Sequence, residues 1–181
     1  MSSCANIKQF TYDACEGNIG GVKKVWVANY IDNAVAYEPD SSTASTAGVI
    51  TGWTSGATGA TWYEYNFRKN TASMTSTLNV NDNGSSYVST ELNMVFSRMA
   101  ADKRAAMVAL VLSDAMVIVE DCNGNKWFLG ETNPVNVSAG TGETGTAKSD
   151  NNAYSITLLD DNDRFPRQLS ENVTFNVASR E

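Results

Sequence analysis

The segment from Thr90 to Leu129 limits the possible folds more than any other stretch of this chain. STELNMVF reads as a strand, SRMAADKRAAMVALVLS as the one convincing helix, and AMVIVEDCNGNKWFLG as a β-hairpin. Val117, Ile118 and Val119 lead into Asn123-Gly124, and Trp127, Phe128 and Leu129 lead out of it. Asn-Gly between two such runs predicts a type I′ turn, because both residues tolerate a positive φ. The helical spacing covers about residues 99–112, starting near Ser97 or Ala100 with Asp102 in the first turn. Its apolar content rises toward Leu112, so the C-terminal half is expected to be the buried half.

The flanking segments supply strands. VKKVWVANYI alternates imperfectly, and TWYEYNFRKN sets Tyr63, Tyr65 and Phe67 on one face, which reads as a core face. Asn81-Asp82-Asn83-Gly84 marks a second hairpin turn. AYSITLL and ENVTFNVAS close the set, the latter aligning Val173, Phe175 and Val177. The composition is rich in Ser, Thr, Asn and Gly, which favours strands and turns over helices. The expected fold is mainly β, an antiparallel β-sandwich or barrel with one flanking helix, formed by residues 1–181 as a single domain.

Two stretches resist assignment to strands. Glu38 to Ala60 (EPDSSTASTAGVITGWTSGATGA) reads as a long loop or arm. Structureless loops longer than about 12–15 residues are uncommon within compact domains and are usually functional or disordered. Val49, Ile50 and Trp53 lie within it, and Trp62 just beyond. These four are the candidate inter-subunit contacts, since apolar residues on an arm call for a covering neighbour. Glu131 to Asn152 reads as a second polar loop, and residues 1–20 as a polar N-terminal segment.

The chemistry of the side chains narrows the function by exclusion. The chain has no histidine, which removes Ser-His-Asp and Cys-His nucleophile systems and His-ligated zinc. No Gly-rich turn opens a helix after a strand, and Gly140-Thr141-Gly142 leads into more loop. Among the carboxylates, Glu64, Glu91, Glu120 and Asp121 lie in or beside strands without evident convergence. The expectation is that the protein is not an enzyme and carries no cofactor or metal. Asp160-Asp161-Asn162-Asp163 offers oxygen ligands but lacks the spacing of a calcium loop, and reads as a solvated turn. A net charge of −7 argues against gripping a phosphate backbone. Cys4, Cys15 and Cys122 show no metal spacing and fit synthesis in a reducing cytoplasm. Neither a signal-peptide pattern nor an apolar run long enough to span a bilayer is expected.

The order of elements, with segments such as GGVKKVWVANYID and VIVEDCNGNKWFLG, resembles the tail-tube family of tailed bacteriophages, including its relatives in contractile injection machines. The resemblance is architectural and runs from about Gly21 onward. It implies a virion structural protein, located in the phage tail, that assembles into homo-oligomeric rings stacked into a tube. Its partners would be copies of itself and other tail proteins, with DNA passing unbound. Other virion roles (head–tail connector, tail terminator, capsid decoration) share these features. A carbohydrate-binding β-sandwich is the rival from another class, for which Trp53 and Trp62 would have to lie flat in a groove.

Overall fold

The computed structural model describes residues 17–39 and 47–179, so expectations for 1–16, including Cys4 and Cys15, and for 40–46 lie outside the described residues. The first half of the chain supplies β1 Val22–Asn29, β2 Val35–Tyr37, β3 Ile50–Trp53, β4 Thr61–Tyr65, β5 Ala72–Val80 and β6 Ser86–Ser97. Helix α1, Ala101–Val111, follows. The second half supplies β7 Ala115–Asp121, β8 Lys126–Leu129, β9 Asn136–Glu143, β10 Ala153–Asn162, β11 Arg167–Leu169 and β12 Asn176–Val177. Among the described residues the fold is mainly β with one helix, and its curled sheets form a half-barrel related to a sandwich.

One sheet has eight strands in the order β12-β4-β1-β7-β8-β11-β3-β2, and the other has four in the order β5-β6-β10-β9. Pairing is antiparallel except for the short β3–β11 and β4–β12 contacts. The centre of the larger sheet is buried on both faces. Val25, Val27, Val117 and Val119 point into a core shared with Leu92, Met94, Ile156 and Leu158 of the smaller sheet. Trp26, Met116 and Ile118 point the other way, into the curl, where they meet Ile50, Trp62, Phe128 and Leu169. Burial on both faces explains why β1 alternates poorly in sequence: each successive side chain has a core to enter.

The 115–129 hairpin forms, with Val117 opposite Leu129 and Val119 opposite Trp127. Its turn is not type I′. Only Gly124 has a positive φ, at 93°, and the Asp121 amide donates to the Asn125 carbonyl across three residues. The Asp121 carboxylate explains the change, because its Oδ1 accepts the Asn123 and Asn125 amides at 2.8 and 2.9 Å. These bonds stabilise a tight turn followed by a left-handed glycine. The 81–84 turn closes the same way, with Asn81 N–H donating to Ser85 and Gly84 at φ 84°.

Several expectations need correction. Residues 38–60 are not one long loop: β3 lies within them, paired with β2 and β11. Residues 131–152 contain β9, laid along β10. The run Asp160–Asn162 ends β10 instead of forming a turn, and Asp160 and Asn162 are buried. On β4 the core residue is Trp62, while Tyr63 is exposed; only Tyr65 and Phe67 pack on the shared core. The last strand reduces to Asn176–Val177, with Val173 buried beside it.

Helix α1 starts at Ala101 without a side-chain cap. Ser97 is still in β6, and Arg98 turns the chain with φ 67°. In place of a cap, Lys103 reaches back to the carbonyls of Ser97 and Arg98. Asn152 takes the Met99 amide on its side-chain oxygen at 2.9 Å. Within the helix only Leu110 is buried; it lies in the expected C-terminal half, but Val108, Val111 and Leu112 around it remain exposed.

Because β7 serves both cores, they should melt together. Ile118→Ala, inside the curl, is expected to cost about 3 kcal/mol, and Val119→Ala, on the shared core, about 2 kcal/mol. In urea titrations, tryptophan fluorescence and far-ultraviolet circular dichroism should give one midpoint for each variant. Separate midpoints in Val119→Ala would show that the cores unfold independently.

Candidate functional site

The four-stranded sheet is the part of the molecule whose surface is least explained by folding. Its registers place Thr75, Glu91, Leu159 and Asn136 in one row across the outer face. Ser73, Asn93, Thr157 and Ala139 make the next row, and Val95, Ser155 and Thr141 continue it. The face is therefore largely a carpet of hydroxyl and amide groups. None of the four strands contains Lys or Arg, whereas they hold Glu91, Glu143, Asp160 and Asp161.

Both edges of this sheet are long. β5 has nine residues with neither charge nor proline, and pairs with β6 without a bulge. β9 has eight residues, charged only at Glu143, with a bulge where Ser138 is skipped between Ala139 and Val137. The larger sheet ends on strands of two and three residues, β12 and β2. Soluble proteins usually blunt sheet edges with short strands, charges, proline or bulges. The larger sheet follows that pattern, and β5 does not.

Beside β9 lies an apolar groove of about 410 Å³ under α1, with Met107, Val137, Gly140 and Ile156 among its lining residues. Its lip is formed by Val111 and Leu112, which are 60% and 81% exposed. Glycine is required on the floor: a Cβ at Gly142 would stand 2.8 Å from the Tyr154 ring and 3.2 Å from the Met99 methyl. Gly142 thus serves close packing on a strand, whereas a Cβ at Gly140 would make only ordinary contacts, 3.7 Å from the Met107 methyl.

The four predicted contact residues are not brought together on a surface. Ile50 is fully buried in the curl and Trp62 is almost so. Trp53 packs tilted against Trp62 and edge-on to Phe128, with ring centroids 5.5 Å and 5.9 Å away. Its indole N–H donates to the Thr174 carbonyl at 2.8 Å. Val49 is half-buried and lends its carbonyl to the Glu38 amide. Ile50 and Trp62 are therefore core residues, and the apolar character that marked them out is spent on the curl.

The carboxylates are equally dispersed. Glu120 is held by Lys23 at 2.6 Å, Asp121 organises the hairpin turn, and Glu91 lies on the other sheet. Glu131 receives the buried Arg167 guanidinium at 3.0 Å, and that group also lies 3.9 Å over the Tyr37 ring. Among the described residues, no group of three or more His, Cys, Asp or Glu side chains could hold a metal ion. No helix of the described residues is long and apolar enough to cross a membrane.

Sequence reading missed β9 and the groove. SAGTGETG has the composition of a loop, and only its pairing with β10 makes it a strand. The groove did leave a trace, since Val108, Val111 and Leu112 form a second apolar stripe at helical spacing beside Met107 and Leu110.

Burial pushes the Asp160 carboxyl up to about 6, against bonds from the Asn162 side chain and the Gly130 amide that pull it down. The folded group binds its proton more tightly than the unfolded one. Stability is therefore greatest below the unfolded value of 3.8 and falls as pH rises through about 6. The loss is on the order of 3 kcal/mol by neutral pH. Asp160→Asn should remove that slope, so the gap between wild-type and variant urea midpoints should widen from pH 4 to pH 7. A constant gap would rule out Asp160 as the source.

No protein-family model, no curated protein and no solved structure matches this chain.

Proposed function

We propose that this chain is a structural virion protein that self-assembles into rings, which stack into the tube of a phage tail and conduct DNA without binding it. Its partners are copies of itself and other tail proteins, and its place is the virion after synthesis in the host cytoplasm. The observation that carries this reading is the four-stranded sheet, with its cation-free outer face and its two long edges.

Unpaired edge amides and carbonyls are satisfied best by another strand, and a sheet open at both edges can add a copy at each. Head-to-tail addition of this kind closes into a ring when the rotation permits. The face that such a ring presents would then decide what can pass. Non-specific affinity for DNA comes from Lys and Arg neutralising phosphates with release of counterions. A face of Ser, Thr and Asn with Glu91 and Asp161 offers no such exchange, so a polyanion meets weak repulsion and no sticking points.

The tryptophans named for the sugar-binding alternative speak against it, because Trp62 is buried and Trp53 is packed against the curl. Connector, terminator and decoration roles differ from a tube in how far assembly proceeds, which microscopy separates.

Negative-stain microscopy of the purified chain should show rings or tubes, and deletion of residues 40–46 should leave rings that no longer stack. The shorter deletion is the informative one, since removing 39–60 would also remove β3 and the core residue Ile50. A chain that stays monomeric across concentration and salt would sink the proposal. In gel-shift assays at about 0.1 M salt, the protein should leave double-stranded DNA unretarded. Glu91→Lys with Asp161→Lys should create binding that weakens steeply with added salt.

A further inference from the structure

We propose that the groove between α1 and β9 is the seat for the β5 edge of a second copy, which enters antiparallel to β9 with Leu78 and Val80 beneath Val111 and Leu112. The inference rests on the self-assembly reading and names the surfaces that would meet.

Strand sense permits it. All neighbours in the order β5-β6-β10-β9 are antiparallel, so β5 and β9 run in opposite directions. A second copy added in the same orientation sets its β5 antiparallel to β9 without turning the sheet over. Each face of the first sheet then continues as the same face of the second.

The apolar side chains are on the correct face. Along β5, Leu78 and Val80 share the side of Met74, which packs on the shared core. That is the side on which Val137 and Ile156 line the groove. Leu78 and Val80 are 51% and 70% exposed, so each copy carries an uncovered apolar pair and an uncovered apolar slot. Gly140 leaves the floor of the slot without a side chain.

The placement of charged and apolar ends favours the antiparallel sense. β5 is preceded by the exposed Arg68 and Lys69 and ends in Leu78 and Val80. β9 begins beside Leu112 and Val137 and ends in the exposed Glu143, and Arg104 is the one charged residue lining the groove. Antiparallel entry therefore brings the cationic start of β5 to the Glu143 end and the apolar finish to the helix lip. Parallel entry would set Arg68 and Lys69 against the apolar lip, leaving their charges desolvated and unpaired.

The test uses the full chain and sedimentation velocity. Val80→Asp spoils the entering strand and Leu112→Asp spoils the slot. Both positions are exposed, so thermal melts should match wild type. Each substitution alone should raise the concentration for half-assembly at least about tenfold, the effect of roughly 1.4 kcal/mol. An equimolar mixture should form dimers and stop, because Val80→Asp retains a good slot and Leu112→Asp a good strand. Lys69→Glu and Glu143→Lys should each weaken assembly, and the double variant should recover it. Assembly of Val80→Asp and Leu112→Asp at wild-type concentrations would overturn this docking while leaving self-assembly intact, as would a mixture without dimers. A wild-type chain that never assembles would overturn the self-assembly reading itself.

Discussion

The whole architecture depends on β7 and its neighbour β1 being apolar on both faces. Ala115 to Glu120 are all buried, with Val117 and Val119 serving one core and Met116 and Ile118 the other. A strand of this kind cannot lie at a surface, so the larger sheet must be covered twice. It covers one face by curling on itself around Trp26, Trp53, Trp62 and Phe128. It covers the other with the four-stranded sheet and with the buried side of α1, through Leu110 and Met107. The polar bonds at the hairpin tip set how this strand returns, since Asp121 holds the amides of Asn123 and Asn125 and the Trp127 indole N–H.

Covering the larger sheet leaves the smaller one with an outer face and two edges on which no further strand of the described chain pairs. This separation gives the molecule its division of labour. The curl absorbs the large aromatics and the buried ion pair Arg167–Glu131, all of which serve stability. The smaller sheet carries hydroxyls, amides and carboxylates, and the proposed assembly would use it. No motif would announce such a surface, because assembly surfaces in general are made of edges, exposed side chains and charge placement. Their chemistry is ordinary and their arrangement carries the meaning.

Charge placement illustrates the point. The excess of acid over base is a property of the composition, and taken alone it speaks to solubility and against gripping phosphates. Its segregation is a property of the fold. The four strands of the smaller sheet, none with Lys or Arg, come from four separated stretches of sequence, 72–80, 86–97, 136–143 and 153–162, and become one surface only when they pair.

The hairpin, the helix and the mainly β class are determined by local pattern, and each is legible in the residues. Val117 to Val119, Gly124 and Trp127 to Leu129 specify a hairpin because their preferences are satisfied by neighbours in sequence. Long-range pairing decided what local pattern could not. Ile50, Trp53 and Trp62 looked like contacts for another subunit because their sequence neighbours are small and polar, yet β3 finds its partners in β2 and in the distant β11. β9 looked like loop because glycine and serine have weak strand preference, and β10 imposes the strand on it. The apolar stripe on α1 was readable, but which half of it is buried depends on where the sheets lie beneath the helix. Sequence thus determined the elements whose energetics are local, and tertiary structure alone decided which apolar residues fill the core and which are left facing outward.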